Sequence, residues 1–472
     1  MGWPDAILVV YLAVLLLLSL NGLHRLLMLR SYRAHVAYGE LPPPAEWPMV
    51  TVQLPLFNER HVAERLLRTV AAFDYPRDAL QIQVLDDSTD DTTEVCQAVV
   101  DDLRAQGVDI ELWHRTDRTG FKAGALQAGL AHAKGSFIAI FDADFVPDPD
   151  FLERAMPHLL VEGIGMVQAR WGHLNADDSW LTKAQATLLD GHFVVEHTAR
   201  HAAGHWFNFN GTAGIWRREA IEAGGGWQHD TLTEDLDLSY RVQMAGWSFR
   251  YLVQLVAPAE LPPDMAAFKT QQHRWAKGSI QTARKLLVRV WKAGVPLGVK
   301  LEASAHLLAN LSYPLLVLLT LLLPWAVAAR IAGGAWGLLA IDLVLFTAAL
   351  FPFLAFYGVA IVGSGRGSRA RLLRLPVVLA LGLGMAVSQT RAVIEGLVGP
   401  VGVFVRTPKR GSATAGLYRA ASRGLVGLEL GLAVYMALAC AYVVTEGYLA
   451  SLPFLALFAS GYGSVAVASL RA

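Results

Sequence analysis

Charged residues are scarce in this chain of 472 residues. They make up 17% of it, whereas hydrophobic residues make up 54%, and ordinary soluble domains are about 25% charged. This scarcity argues for membrane segments. A surplus of one sign is also missing, because 40 basic residues balance 40 acidic ones. Without a basic surplus, nothing in the composition predicts a nucleic-acid partner.

Cysteine is rare as well. Only Cys96 and Cys440 occur, far apart in the chain, which excludes a disulfide framework and a cysteine-based metal site. Two nucleotide-binding patterns are absent: no Gly-x-Gly-x-x-Gly follows a predicted strand, and no Gly-x-x-x-x-Gly-Lys-Ser/Thr occurs. The sequence therefore does not predict Rossmann or P-loop chemistry. Arginine far outnumbers lysine, a bias that favours a bacterial source.

Long apolar runs lie at both ends of the chain. The first covers residues 6–29, enough for a span that takes about 20 residues. It follows Asp5 rather than a basic segment, and no small-residue cleavage site precedes His24, so we interpret it as an anchor and not a signal peptide. Arg25, Arg30 and Arg33 then place the following domain in the cytoplasm by the positive-inside rule.

Four more apolar runs, at 301–329, 336–362, 425–444 and 449–468, bring the predicted number of spans to five. A broken stretch at 375–398 carries Gln389, Arg391 and Glu395, which favours an interfacial or re-entrant piece. This count keeps the basic loop 363–424 in the cytoplasm; a sixth span would place its basic end outside. We expect a multi-pass protein of a bacterial inner membrane.

The middle of the chain alternates strand and helix patterns. Short apolar runs at 50–54 and 81–85 flank a helical pattern at 59–73, and further strands are predicted at 109–114 and 136–141. This order predicts a parallel sheet with right-handed crossovers. Ligands bind such sheets at the carboxyl ends of the strands.

Acidic residues follow two of these strands. Asp86 and Asp87 come after the second, and Asp142 and Asp144 after the fourth. Carboxylates alone would repel phosphate, but an Asp-x-Asp pair can hold Mg²⁺ or Mn²⁺, which keeps positions open for substrate phosphates. The alternative for Asp142 and Asp144 is a solvated turn.

Two cations precede a helical pattern at 125–133. Arg118 and Lys122 stand there with two glycines, where they could neutralise a diphosphate. The alternative is an ordinary basic loop.

The triplet Thr233, Glu234 and Asp235 precedes another helical pattern. The positive end of the helix dipole would keep a carboxylate there ionised, as a general base requires; the alternative is a helix cap. Further on, Gln271, Arg274 and Trp275 have i, i+3 and i+4 spacing and share one helical face. Their region also has the pattern of an amphipathic helix on a membrane surface.

The order of these groups resembles the D, D, D, QxxRW signature of membrane-embedded family 2 glycosyltransferases, which include cellulose, chitin and hyaluronan synthases. The segments Val167–Trp171 and Phe209–Gly214 look like those of the plant cellulose-synthase-like A and C groups, the mannan, glucomannan and xyloglucan-backbone synthases. The resemblance implies an α/β GT-A nucleotide-diphospho-sugar transferase domain inserted in an α-helical transmembrane region.

The resemblance also implies roles for individual residues. Asp235 would be the catalytic base, and Asp142 with Asp144 would hold a divalent cation, Mg²⁺ or Mn²⁺. The residues implied to bind the donor nucleotide sugar are Phe57, Glu59, Asp86, Asp87, Arg118, Lys122, Asp142, Gln271 and Arg274. The residues implied to bind the acceptor are Trp275, Asn210, Gly211 and Thr212.

The implied organisation has four parts: an anchor and linker (1–45), a cytoplasmic GT-A domain (46–263), an amphipathic region with the QxxRW motif (264–300) and about four further spans (301–472). Residues 404–410 are similar to the gating loop of cellulose synthases, usually FxVTxK, although Arg406 departs from that pattern.

Three functions are consistent with this organisation. The first is inverting polymerisation and export of a β-1,4-linked glucan or mannan from UDP-glucose or GDP-mannose. The second is transfer of a single sugar to a lipid acceptor. The third, a transporter with a nucleotide-binding regulatory domain, finds little support, because the predicted spans carry only Glu302, Asp342 and Glu429 as acidic residues.

Overall fold

The computed structural model describes residues 3–35, 39, 41–333, 338–365, 369–402 and 415–472. After helix α1 (Trp3–Arg33), seven strands form one sheet: β1 (Val50–Leu56), β2 (Leu80–Asp86), β3 (Ile110–His114), β4 (Phe137–Ile140), β5 (Ile164–His173), β6 (Gly214–Arg217) and β7 (Ser248–Ala259). The helices between and directly after them are α2 (Ala63–Ala71), α3 (Thr92–Ala105), α4 (Phe121–Ala131), α5 (Phe151–Leu159), α6 (Trp180–Asp190), α7 (His197–Ala202), α8 (Arg218–Ala223), α9 (Glu234–Met244) and α10 (Met265–Lys292). The last helices are α11 (Leu297–Leu308), α12 (Ser312–Gly333), α13 (Leu338–Gly363), α14 (Leu375–Gly384), α15 (Ala386–Val398), α16 (Ala415–Thr445) and α17 (Leu452–Arg471).

The sheet has the strand order β3-β2-β1-β4-β6-β5-β7. The first four strands are parallel, as the sequence predicted, and β6 runs antiparallel to both of its neighbours. The predicted strand bounds are correct to within two residues. The parallel half brings the carboxyl ends of β1, β2 and β4 to one edge of the sheet.

Apolar cores cover both faces of the sheet. One core packs α2, α3 and α5 against it, and the other packs α4, α8 and α9. Strands buried on both faces have nearly continuous apolar sequences. The polar residues of β1 and β2 pair across the strands, because Gln53 Nε2 donates to Gln83 Oε1 (3.0 Å) and Thr51 Oγ1 to Gln81 Oε1 (2.8 Å).

Five helices of the described chain are long and apolar enough to cross a membrane, the predicted number. They cover Asp5–Arg33, Leu297–Ile331, Ile341–Gly363, Leu425–Thr445 and Leu449–Arg471. The stretch predicted as interfacial or re-entrant forms α14 and α15, bent by 45° at their junction. Such a bend fits a re-entrant segment or a broken sixth span. Glu395 of α15 contacts α10, where it lies 3.2 Å from His273.

The three acidic residues of the predicted spans all have cationic partners. Glu302 contacts His24 and Arg200, Asp342 contacts Arg330, and Glu429 contacts Lys269. Buried charges in a membrane region persist when they are paired. These pairs therefore join helices to one another.

Candidate active site

A cleft opens at the carboxyl ends of β1, β2 and β4, bounded by the start of α9 and by α10. Most of the residues singled out in the sequence line it together. They are Phe57, Glu59, Asp87, Arg118, Lys122, Asp142, Asp144, Asn210, Gly211, Asp235, Gln271, Arg274 and Trp275.

Asp86 and Thr212 do not line the cleft, and the direct ligand contacts expected of them need correction. Asp86 is fully buried and accepts hydrogen bonds from Ser88 N (3.0 Å) and Thr93 Oγ1 (2.6 Å). Thr212 is also fully buried, and its Oγ1 accepts a bond from Asp142 N (2.8 Å). Both side chains make their hydrogen bonds within the protein, beneath the cleft. They fix the turns that hold Asp87 and Asp142 at the cleft.

Two arginines, Arg115 and Arg118, contact the cleft residues that follow β1 and β2. Arg115 donates two hydrogen bonds to Asp87, at 2.7 and 2.6 Å, a bidentate geometry that fixes the carboxylate. The guanidinium of Arg118 lies 3.3 Å from the centre of the Phe57 ring, close enough for a cation–π contact. Arg115 was not among the residues predicted from the sequence. It follows β3 directly, and the same position after a strand singled out Asp87 and Asp142.

Asp142, Asp144 and Lys122 form the anionic centre of the cleft. Helix α4 begins at Phe121, earlier than predicted, so Lys122 lies in its first turn. Its Nζ donates to Asp142 Oδ1 (2.5 Å) and to Gly211 O (2.8 Å). Burial disfavours the charge on Lys122, but the carboxylates of Asp142 and Glu234 outweigh burial and raise its pKa. Lys122 therefore stays cationic beside the Asp-x-Asp pair.

The Asp-x-Asp pair fits a hard divalent cation. Carboxylate oxygens suit Mg²⁺ or Mn²⁺, and both carboxylates line the same cleft. Among the described residues, no group of three or more His, Cys, Asp or Glu side chains could hold a metal by itself. A cation here would thus take its remaining ligands from water or from a bound diphosphate, as Mg²⁺ commonly does.

Backbone strain concentrates around this cleft. Three non-glycine residues of the described chain have positive φ: Asn58 (55°), Phe121 (49°) and Ala213 (55°). Each adjoins, or lies two positions from, a cleft residue, namely Phe57, Lys122 or Gly211. Such conformations cost about 1–3 kcal/mol each and cluster at functional sites.

Asp235 lies at the start of α9, in the cleft. Thr233 occupies the cap position, but its side chain makes no capping hydrogen bond. Burial and the neighbouring Glu234 carboxylate raise the pKa of Asp235 to about 7. Burial and the like charge of Glu234 therefore oppose the helix dipole expected to keep this carboxylate ionised, and the ionised state stays a prediction. A pKa near neutrality suits a general base.

Gly211 leaves room beside the Asp235 carboxylate. Its φ of 80° favours glycine, and a Cβ at this position would lie 3.1 Å from Asp235 Oδ2. A side chain here would crowd the proposed base.

The QxxRW motif faces the cleft as its spacing predicted. Gln271, Arg274 and Trp275 line the cleft, whereas His273 contacts Glu395 of α15 on another side of the helix. The Trp275 ring lies 6.3 Å from that of Trp171, which stacks on Phe193 at 4.8 Å. Trp171 also lines the cleft; it stood in the VQARW segment of the sequence without an assigned role.

Residues 48–278 match the family described as Glycosyltransferase like family 2. Together with the fold and the site, this match shows that the chain carries a family 2 glycosyltransferase domain, as the motifs predicted. A solved structure of similar fold is a mannosyltransferase from Pyrobaculum calidifontis in complex with GDP-Man and Mn²⁺. It has a TM-score of 0.51 and 24% identity, and the match covers 78% of this chain and 98% of that one. The predicted GT-A fold is confirmed.

Similar curated proteins come from plants. Glucomannan 4-beta-mannosyltransferase 1 of Oryza sativa subsp. japonica is 43% identical over 249 residues, which cover 52% of this chain and 48% of that protein. Glucomannan 4-beta-mannosyltransferase 2 of Arabidopsis thaliana is 42% identical over 261 residues, covering 52% and 49%. The chain spans about half the length of the curated relatives it matches. The predicted likeness to the cellulose-synthase-like A group is confirmed.

Proposed function

We propose that this protein is an inverting membrane mannosyltransferase that extends a β-1,4-linked mannan from GDP-mannose and exports the product. One observation carries the proposal: a single cleft holds an Asp-x-Asp pair, cations and a partly buried carboxylate with a pKa of about 7. The named relatives, which are glucomannan 4-beta-mannosyltransferases, favour GDP-mannose over UDP-glucose. The neighbour solved with GDP-Man has the same fold.

The donor would lie along the parallel half of the sheet. Phe57 and Asp87 would contact the nucleobase of the donor, and Glu59 would contact its nucleoside. The carboxylates of Asp142 and Asp144 would hold Mg²⁺ or Mn²⁺ against the diphosphate. That cation, when bound, neutralises the charge that develops on the leaving diphosphate.

Lys122 contributes a further positive charge at this position. Its ammonium already lies beside Asp142, one of the two carboxylates that would hold the cation. Arg274 of α10 and Arg118 add positive charge around the diphosphate, and the amide of Gln271, also on α10, adds hydrogen-bond donors. Donors that are already oriented toward a developing charge cost little reorganisation during reaction.

Asp235 carries the chemical step. Its carboxylate takes the proton from an acceptor hydroxyl, and the oxygen forms a bond to the anomeric carbon of the donor sugar. The bond from that carbon to the diphosphate oxygen breaks on the opposite face, so the anomeric configuration inverts. Trp275 stacks the terminal sugar of the acceptor beside Asn210 and Gly211.

The arginines at the C-terminal end of the first span support a cytoplasmic position for the catalytic domain in a bacterial inner membrane. The domain bounds stay a prediction, in which the spans of the C-terminal part (301–472) form the export region. The possible gating loop at 404–410 lies outside the described residues, and its role stays a prediction.

Labelled donors given to the purified full-length chain in lipid nanodiscs test the proposal. We expect GDP-mannose with Mn²⁺ or Mg²⁺ to yield a water-soluble or precipitated polymer, and we expect EDTA to lower the yield at least about 100-fold. Label that appears only in the organic extract would replace the polymer with a glycolipid product. Faster incorporation from UDP-glucose would contradict the assigned donor.

A further inference from the structure

Two histidines use both polar atoms of the Asn210 side chain. The Oδ1 of Asn210 lies 2.5 Å from His197 Nε2, and its Nδ2 lies 2.8 Å from His192 Nε2. His197 is fully buried, while the side chain of His192 is 26% exposed. Asn210 itself lines the cleft, so this contact reaches the site from behind.

Glu196, the second hydrogen-bond partner of His192, helps to fix the direction of these hydrogen bonds. His192 Nδ1 lies 2.9 Å from Glu196 Oε2. Burial opposes the charge on Glu196, but the His192 hydrogen bond and Arg200 outweigh it and hold its pKa well below its usual range. An ionised carboxylate only accepts, so His192 Nδ1 donates to it. The amide nitrogen of Asn210 can only donate and its oxygen can only accept, so His192 accepts at Nε2 from Asn210 Nδ2, and His197 Nε2 donates to Asn210 Oδ1.

The opposite orientation of the amide would be costly. It would aim Asn210 Oδ1 at the accepting nitrogen of His192 and would move the proton of His197 to Nδ1. That Nδ1 is buried without a hydrogen-bond partner in the described part of the chain. The opposite orientation would thus set two acceptors against each other and leave a buried N–H without an acceptor, so the histidines select one orientation of the Asn210 amide.

His192 stands on a π-helical segment, Gly191–Glu196. Such segments are rare and are often found at functional sites. The next residue, Phe193, stacks on Trp171, which contacts Trp275. One short segment thus supports both the amide of Asn210 and the aromatic group proposed to stack the acceptor.

Charged residues continue this network to the membrane helices. Arg200 lies 3.6 Å from Glu196, and its Nε donates to Glu302 Oε1 (2.9 Å) on α11. Glu302 Oε2 lies 2.7 Å from His24 Nε2 on α1. Gly191 packs against α13, where a Cβ would lie 2.5 Å from Tyr357 Cε1. Three membrane helices therefore fix the position of the π-helical segment.

We propose that His192 and His197 are positioning residues for the sugar acceptor. They hold the Asn210 amide in one orientation, so that its second N–H and its second lone pair meet hydroxyl groups of the terminal sugar. The chain from Glu196 through Arg200 to Glu302 ties this amide to the membrane helices. The inference rests on the proposed function, since it assumes a mannan-type acceptor in the cleft.

The test compares two substitutions of His197 in the full-length protein. His197→Gln keeps an N–H donor near the position of Nε2, whereas His197→Leu removes it. The binding of mannotetraose is followed by tryptophan fluorescence, and the binding of GDP with Mn²⁺ by calorimetry. We expect His197→Leu to weaken mannotetraose binding about tenfold, the value of one lost hydrogen bond of about 1.4 kcal/mol. His197→Gln should stay within about threefold of the wild type.

GDP affinity is the control for folding and should be unchanged in both variants. His192→Leu, at a partly exposed position, provides a second variant with the same expected loss in mannotetraose binding. Equal loss in the Gln and Leu variants at position 197, or parallel loss of GDP binding, would overturn the inference. A wild type that binds mannotetraose but transfers no mannose contradicts the proposed function alone, because the binding ratio of the variants still decides the role of the histidines.

Discussion

The donor side and the acceptor side of the cleft are built in different ways. Phe57, Asp87 and Asp142 stand at the ends of neighbouring parallel strands, so the sheet itself fixes their spacing. The acceptor side depends on contacts between distant segments, such as the bond between Arg200 and Glu302, 102 residues apart. The proposed donor site therefore belongs to the α/β domain, whereas the proposed acceptor site also depends on how the membrane helices pack.

The largest expected effect falls on Asp235, where the two sides meet. Asp235→Asn removes the base and keeps the size of the side chain. General base catalysis contributes about 10²–10⁴-fold, so we expect transfer to fall about 1,000-fold. GDP affinity should be unchanged, because Asp235 is assigned to the acceptor hydroxyl and not to the nucleotide. Initial rates of GDP release and calorimetry measure the two quantities.

Asp230→Asn is the matched control, since the Asp230 side chain is 56% exposed, pairs with Lys285 and lies outside the cleft. It should transfer mannose at the wild-type rate. Wild-type transfer by Asp235→Asn would remove Asp235 from the mechanism.

The next effect concerns the stability of the contact between α10, which carries the QxxRW motif, and the membrane helices. Lys269 of α10, two residues before Gln271, forms a buried ion pair with Glu429 of α16; their side chains are 8% and 0% exposed. Glu429→Gln leaves the ammonium buried without a counter-charge, which typically costs about 3–5 kcal/mol. We expect a marked fall in Tm in nanodiscs.

The control for this prediction is Asp102→Asn in the exposed pair with Arg68, where solvent screens the interaction. Its Tm should equal that of the wild type. Equal Tm values for the Glu429 and Asp102 variants would show that the membrane contact does not hold α10.

A smaller effect is expected at Trp275. Trp275→Ala removes the ring that is proposed to stack the acceptor, so the KM for mannotetraose should rise about tenfold while the KM for GDP-mannose stays constant. Trp275→Phe keeps an aromatic face and should recover most of the loss. An equal rise in both KM values would place Trp275 on the donor side.

The smallest effect is a shift in pH dependence. The transfer rate should fall as the pH drops below about 7, because protonation removes the Asp235 base. Glu234 is one cause of the raised Asp235 pKa, so Glu234→Gln should lower that pKa and move the acidic limb of the rate profile to lower pH. A limb that moves upward, or stays in place, would assign it to another group.

The same contrast explains what the sequence could predict. Strand-end positions such as Asp142 and the helical spacing of Gln271, Arg274 and Trp275 are local patterns, and the structure brings these residues into one cleft. Asp86 carries the same local signal as Asp87, but its burial depends on Thr93 and Ser88. The base role of Asp235 came from resemblance, since its raised pKa depends on burial that the sequence does not show.

Contacts between residues far apart in the chain leave no periodic pattern in the sequence. His192 and His197 read as ordinary residues of a helical stretch, because nothing local indicates that Asn210 meets them. The membrane count of five came from apolar length, yet the partner of each membrane carboxylate became visible only in the packed structure.

The most direct test of the central claim is the linkage of the product. Purified protein in nanodiscs receives radiolabelled GDP-mannose and Mn²⁺, and the product is digested with an endo-β-1,4-mannanase. We expect a polymer that the mannanase cuts into short manno-oligosaccharides. We expect no polymer from the Asp235→Asn variant. A mannanase-resistant polymer, a single mannose on a lipid, or equal polymer from Asp235→Asn would contradict this claim.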